Sequence, residues 1–456
     1  MSDGALRNQR PEDFDFTVET LGECVVESPL KRRTFIGPHE RVVVPSDLET
    51  VERCLAQGLP VPSMERAGPR EKIFHPPFMT RAAIVTCGGL CPGLNSVIKG
   101  IVETLHHEYG VTEVYGIPYG YRGLNADYGH RPVVLGPDEV DEIHLEGGSI
   151  LGSSRGEQDA DKMVQTLVNL RANLLFTVGG DGTQRGASKI VEAIRRRRLA
   201  ISVVGIPKTV DNDIHFVGPT FGFETAVYHS TPVITSAHVE AKSAYRGVGL
   251  VRLMGRDSGF IAAYASLANP VVNICLIPEQ ELVLEGESGL LRGLERRFEK
   301  KDHAVIVVAE GAGQNLFAGV PESDASGNVL KKDIGALLSQ RIKQHFESLG
   351  KPIEMKYFDP SYLLRSVPAS GTDQILCHRL AEAAVHAAMA GRTNTVVGVW
   401  NRSFVNVPIA AATYERQRVD PEGALWRSVL ASTRQEMYFR LDEESEAAAS
   451  RTTAVG

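Results

Sequence analysis

From Arg81 onward the chain alternates two kinds of apolar pattern. Short uninterrupted runs, "AAIVTC", "NLLFTV", "AISVVGIP", "GVGLVRL", "NICLIP" and "HAVIVVAEG", read as strands buried on both faces. Between them, apolar residues recur three and four apart, as at Val97, Ile98, Ile101, Val102 and Leu105, the spacing of one helix face. "MVQTLVNLRA", "ASKIVEAIRRRR", "SGFIAAYASLA" and "GLLRGLERRFEK" read as helices too, as do the stretch from about Phe223 and the Ala-rich "DQILCHRLAEAAVHAAMAG". Strands alternating with helices predict parallel sheets covered on both faces. Two such series predict an α/β protein of two doubly wound, Rossmann-like lobes with mostly parallel sheets. Residues 1–77, rich in Pro and charge, read as an extension that packs on a neighbour.

Composition narrows the function class. Hydrophobic residues at 43% and charged residues at 23% are ordinary for a globular protein. A net charge of -7 without a long basic run argues against nucleic acid or a membrane as main partner. Arg195–Arg198 reads as the solvated last turn of a helix, where cations suit the dipole. The six scattered cysteines form no metal-type pair and no disulfide framework. The opening "MSDGALRNQRPEDFDF" is unlike a secretory signal, so the expected location is cytoplasmic.

Ligands of doubly wound folds sit beyond the C-terminal ends of strands, and the glycine-rich and acidic clusters lie there. "GGDGT" (179–183) follows a strand and opens a helix. It is either a structural turn or a phosphate cradle, in which Asp181 offers Mg²⁺ a carboxylate or caps its own backbone. "GGLCPGLN" (88–95) is a second such turn, with Asn95 or Ser96 as a cap. "GGSILGSSRG" (147–156) is a third, carrying Arg155 among small residues.

"GIPKTVDNDI" (205–214) is more specific. Asp211 and Asp213, one residue apart in a strand-like segment, point the same way and repel. Asp211 can serve as base toward a hydroxyl, with Lys208 and Thr209 on phosphate; the alternative is a capped turn before a helix. In "MGRDSG" (254–259), Arg256 stabilises charge in transfer or pairs with Asp257 or another acid. Glu310 stands at a strand end, and "KYFDPSYLLRSVP" holds Lys356, Tyr362 and Arg365. His378 and His386 read as packing or surface residues. Together these residues describe a phosphotransferase: phosphate loops, one metal carboxylate, one base and several cations.

The ordered set "GGLCPGLN", "GGSILGSSRG", "GGDGT", "PKTVDND", "MGRDSG", "AEG" and "PSYLLRS" resembles 6-phosphofructokinase, in the ATP-using branch typical of plants and trypanosomatids. The match runs from about residue 80 to about 410. The resemblance implies the phosphofructokinase fold: an ATP-binding lobe at 78–222 plus 365–412, a fructose 6-phosphate lobe at 223–364, and a C-terminal helical segment and tail at 413–456. It implies that Gly88, Arg155, Gly156, Gly180, Asp181, Gly182 and Thr183 surround ATP, with Asp181 on Mg²⁺. Thr209, Val210, Asp211, Met254, Gly255, Arg256, Glu310, Tyr362, Leu363, Leu364 and Arg365 would meet the sugar phosphate, Asp211 as base for its 1-hydroxyl. A homo-oligomer, tetramer or dimer, is implied as well.

Two positions pull against each other. Lys208 matches the pyrophosphate-dependent relatives, whereas Gly182 matches the ATP-dependent ones, which lack the Asp found there in the pyrophosphate users. A carboxylate at 182 would crowd the α-phosphate region of a nucleotide, so Gly182 decides donor selectivity in favour of ATP. The expected reaction is transfer from Mg-ATP to fructose 6-phosphate, giving fructose 1,6-bisphosphate and ADP. The alternatives are pyrophosphate as donor, or a non-catalytic sensor of nucleotide or sugar phosphate.

Overall fold

The computed structural model describes residues 10–31, 34–318 and 329–435. In chain order its principal elements are β1 (Arg41–Val43), α1 (Leu48–Ala56), β2 (Ser63–Arg66), β3 (Arg81–Thr86), α2 (Leu94–Glu103), β4 (Glu113–Ile117) and β5 (Val133–Val134). Then come α3 (Ala160–Asn169), β6 (Leu174–Gly179), α4 (Asp181–Arg196), β7 (Ser202–Pro207), α5 (Phe223–Ser243), β8 (Gly247–Leu253) and α6 (Phe260–Ala268). The last are β9 (Ile274–Leu276), α7 (Leu290–Phe298), β10 (His303–Ala309), α8 (Ile334–Ser348), β11 (Glu354–Phe358), α9 (Gly371–Met389), β12 (Thr395–Trp400), β13 (Ser403–Pro408) and α10 (Ala424–Thr433). The chain forms two compact units. Unit 1 comprises residues up to Thr209, Ile214–Gly222 and Ser366–Glu415; unit 2 comprises Val210–Asp213, Phe223–Arg365 and the residues from Arg416 on.

Unit 1 holds a nine-stranded sheet in the order β1-β2-β13-β12-β7-β6-β3-β4-β5. Its centre, β12-β7-β6-β3-β4, is parallel, as runs such as "NLLFTV" demand: β6 and β7 are buried along their whole length. The flanking pairs are antiparallel. The apolar faces of α3 and α4, including Val164, Leu167, Ile190 and Ile194, close a core with Ala83, Val85, Leu175 and Val203. The expected N-terminal extension enters this unit directly. Strands β1 and β2 add an edge to the sheet, and Glu19–Thr20 pairs with Arg392–Thr393. Arg195 and Arg196 close α4 and are exposed, as expected, matched by Glu19 and Asp161.

Unit 2 holds a four-stranded parallel sheet, β9-β10-β8-β11. The period-2 alternation of β10 splits its side chains between two cores. Val305, Val307 and Ala309 join α5, α6 and α10 on one face. Ala304, Ile306 and Val308 join α7 and α8 on the other. The C-terminal helical segment expected over 413–456 is represented by α10; residues 436–456 of that segment lie outside the described residues. Among the described residues no helix is long and apolar enough to cross a membrane.

Candidate active site

Because β7, β6 and β3 are adjacent and parallel, the turns that follow them emerge side by side in unit 1. Hydrogen bonds tie the end of β3 and its turn to the loop at 147–156. The Gly88 N–H donates to the Ser154 carbonyl at 3.0 Å, and Ser153 Oγ donates back to the Gly88 carbonyl at 2.5 Å. Thr86 Oγ1 donates to the Gly152 carbonyl at 2.6 Å. Asn95 does not cap α2; Gly93 does, with φ +99 and no room for a side chain, since a Cβ would lie 2.5 Å from Cys377 Sγ. Asn95 instead clamps the third loop, accepting from the Ile150 N–H at 2.9 Å and donating to the Glu146 carbonyl at 3.2 Å. Arg155 stands exposed on that loop, and Gly156 takes φ +98, a left-handed conformation that favours glycine.

Gly180 caps α4, and Asp181 is its first residue, where a carboxylate meets the positive end of the helix. The Asp181 carboxylate accepts from Arg185 Nη1 at 3.1 Å, one turn on. Gly182 faces open space: a Cβ there would meet nothing within 4 Å. Thr183 is buried, and its carbonyl accepts the Tyr121 hydroxyl at 2.6 Å. Lys208 follows β7 and is buried; its Nζ donates to the Gly89 carbonyl at 2.6 Å and would lie 3.0 Å from a Cβ on Gly88. Thr209, the last residue of unit 1 before the chain passes on, offers its carbonyl to Thr220 Oγ1 at 2.6 Å. The structure thus brings Gly88, Gly156, Gly180, Asp181, Gly182, Thr183 and Lys208 onto neighbouring turns of one unit.

The remaining expected residues belong to unit 2. Val210–Asp213 is a turn, not the strand-like segment expected, because β7 ends at Pro207 and Asn212 adopts φ +56. Burial pushes the Asp211 carboxyl up to about 8, with the negative charges of Asp213 and Glu310 adding to the shift. The Arg256 N–H reaches Asp211 Oδ2 at a long 3.4 Å, and Ser258 Oγ donates to the Asp211 carbonyl at 3.1 Å. Met254 is buried and Gly255 takes φ +128, where a Cβ would meet the Ser258 carbonyl at 2.6 Å. This glycine permits the sharp turn after β8.

Arg256 does not pair with Asp257, as the simpler alternative had it. Its Nη2 donates to the Val329 carbonyl at 2.8 Å, while Asp257 binds Lys331 at 2.9 Å and Arg416. Burial works against ionisation of Asp257, but the Lys331 hydrogen bond and the nearby arginines hold its carboxyl below the ordinary range. Glu310 is held by Arg252 at 3.2 Å, and Arg252 also binds Asp359 at 2.5 Å. Tyr362 and Leu363 are exposed, Leu364 is buried, and the Arg365 guanidinium lies 4.5 Å over the Tyr362 ring. Lys356 is exposed on β11.

Several residues that tie these elements together escaped the sequence reading. Gln184 Nε2 donates to the carbonyls of Thr177, Gly179 and Ile206 at 3.2, 2.9 and 3.4 Å, riveting α4 to β6 and β7. Its signal was Gly205, a small residue amid Val and Ile in "AISVVGIP". Arg252 and Arg416 left no local signal, since their partners are remote in sequence. His386 is buried, with its ring 2.8 Å from the Tyr109 hydroxyl. Among the described residues its Nε2 also gathers with Glu108 and Glu382 within 4.8 Å, a juxtaposition that the view of His386 as packing or surface overlooked.

Phosphate-compatible turns at strand ends and an acid at a helix start in unit 1, together with a buried carboxyl in unit 2, are features of an α/β phosphotransferase. The phosphofructokinase family model matches residues 81–388. The chain is 46% identical over 445 residues to the ATP-dependent 6-phosphofructokinase of Borreliella burgdorferi, covering 94% of this chain and 98% of that one. It is 47% identical to the ATP-dependent 6-phosphofructokinase of Amycolatopsis methanolica, covering 93% and 96%. It is also 47% identical to that of Trypanosoma cruzi, covering 80% and 75%. Among solved structures, the pyrophosphate-dependent phosphofructokinase of Marinobacter aquaeolei shares the fold with a TM-score of 0.62, at 21% identity, covering 79% of this chain and 93% of that one. The chain belongs to the phosphofructokinase family.

Proposed function

We propose that this chain is an ATP-dependent 6-phosphofructokinase, which transfers the γ-phosphoryl group of Mg-ATP to the 1-hydroxyl of fructose 6-phosphate. The observation that carries the reading is Asp211: a buried carboxyl raised to about 8, with Arg256 beside it in sequence-distant but spatially adjacent register. A base is most effective when its pKa lies near the working pH, and general base help is typically ~10²–10⁴-fold. Asp211 takes the proton of the 1-hydroxyl as its oxygen forms the bond to the γ-phosphorus. The bond from that phosphorus to the β-phosphate oxygen breaks, ADP leaves, and Asp211 releases the proton to solvent.

In this reading unit 1 serves the donor, through the turns that carry Gly88, Gly156, Gly180, Gly182 and Thr183 and the cation of Arg155. Unit 2 serves the acceptor, with Val210, Met254, Gly255, Arg256, Glu310, Tyr362, Leu363, Leu364 and Arg365 around the sugar phosphate, joined by Thr209. Asp181 suits a divalent ion: it is a single carboxylate among glycine turns, beside open space at Gly182, and Mg²⁺ binds through one or two carboxylates plus phosphates. When bound, that ion supplies charge neutralisation on the transferred phosphate. Arg256 stabilises charge developing in transfer, and Lys208 is placed against the first phosphate loop. The relatives named ATP-dependent and the open space at Gly182 support ATP over pyrophosphate.

Assaying the purified chain with fructose 6-phosphate and each donor tests this. Turnover with Mg-ATP and little with pyrophosphate is expected. The reverse would assign the chain to the pyrophosphate users, and tight binding without turnover would make it a sensor. We infer further that the chain works in the cytoplasm as a homodimer or homotetramer, which light scattering on a sizing column and fractionation of the source cells can test.

A further inference from the structure

The segment Arg416–Val419 re-enters unit 2 from the C-terminal side and is tied to both turns that carry its chemistry. The Gln417 N–H donates to the Asp213 carbonyl at 2.9 Å, and Arg416 Nε lies 3.8 Å from Asp213 Oδ2. The other arm of the same guanidinium binds Asp257. Glu279, largely buried, accepts both the Val419 N–H and the Gly259 N–H at 2.8 Å. Four residues thus lace the turn of Asp211 to the turn of Arg256.

We propose that Arg416 is a positioning residue: by bridging Asp213 and Asp257 it fixes the turn bearing Asp211 against the turn bearing Arg256. The inference rests on Asp211 being the base. An arginine suits the task, because its planar fork engages two carboxylates in fixed directions where a lysine offers one point charge. Charge balance points the same way. Asp211 faces the acids Asp213 and Glu310, the N–H of Arg256, and the cation of Arg416. Glu310 is occupied by Arg252, Asp257 by Lys331 as well as Arg416, and the Arg256 guanidinium by the Val329 carbonyl. Arg416 is therefore the side-chain cation acting on the acidic pair from the C-terminal segment, and its removal leaves two buried carboxyls opposed with less compensation.

The test compares wild type, R416Q and R416K over pH 6 to 10. For R416Q, kcat is expected to fall by at least about tenfold. The alkaline-rising limb of kcat/KM for fructose 6-phosphate should move up by about half a unit or more. R416K should restore the limb, because it keeps the charge, but not the full kcat, because it cannot bridge both acids. ATP affinity, measured by calorimetry, should match wild type in both. An R416Q enzyme with wild-type kcat and an unmoved limb overturns the proposal. If R416Q does not fold, R416K decides: kcat lowered severalfold supports bridging, and wild-type kcat overturns it. A wild type without turnover would defeat the kinase reading instead. The infrared carboxyl band that D211N removes would then still report whether R416Q shifts the Asp211 titration upward, and a titration matching wild type would overturn the role of Arg416.

Discussion

The side-chain amide of Gln184 occupies the place that a side chain at position 205 would take. A Cβ built on Gly205 overlaps Gln184 Oε1, and the same amide donates to carbonyls on both β6 and β7. Gly205→Ala should therefore displace a buried, satisfied polar group as well as overpack the strand. A loss of about 2–4 kcal/mol is expected. Urea unfolding measures it, and an unchanged midpoint would show that Gln184 has another place to go.

Gly182→Asp should weaken ATP use while leaving the fold intact. The two effects separate here because a side chain at 182 meets nothing within 4 Å in the protein. The KM for ATP should rise at least about tenfold, the cost of placing a carboxylate near phosphate charge. The melting temperature should stay within a degree or two. Wild-type ATP kinetics in this variant would remove Gly182 from donor selection.

Asp211→Asn should lower kcat by about 10²–10⁴-fold while fructose 6-phosphate binding survives. A base acts in its ionised form, and burial raises the Asp211 pKa to about 8. So kcat/KM should climb with pH through about 8 and level off above it, and the variant should lose this rise. A flat wild-type profile between pH 6 and 9 would exclude Asp211 as the base.

His75 should make the protein acid-sensitive. It is buried, with Nε2 3.0 Å from Ser202 Oγ, and burial lowers its pKa to about 4. The unfolded chain binds its proton near pH 6.5 and the folded chain only near 4. Stability from this residue is thus complete above pH 6.5 and lost as pH falls toward 4, by about 3 kcal/mol in all. His75→Gln should flatten that part of the pH dependence of the urea midpoint; an unaltered slope would assign the loss to other groups.

The elements that the hydrophobic pattern predicted are those with a local cause. β8 spans the run "GVGLVRL" and β6 falls within "NLLFTVG", because a strand covered on both faces must be apolar throughout. The glycine turns were legible because φ constraints act within a few residues. Asn95 was misread for the opposite reason: its local option, a helix cap, lost to a loop fifty residues away. Likewise Arg416 has partners near 213 and 257, and no pattern in its own neighbourhood encodes them. The turn at 210–213 differed from expectation because Asn212 tolerates positive φ, a backbone choice that side-chain alternation does not reveal.

The route of the backbone has a consequence for how such a protein can be taken apart. The chain leaves unit 1 after Thr209, returns at Ile214, leaves after Gly222, returns at Ser366 and leaves again after Glu415. No single stretch of gene therefore encodes either half. A stop codon after Gly222 would strand the large sheet without β12 and β13, and an expression fragment beginning at Phe223 would lack Asp211 itself. Neither half can be borrowed by simple end-to-end fusion, so the two units are inherited together.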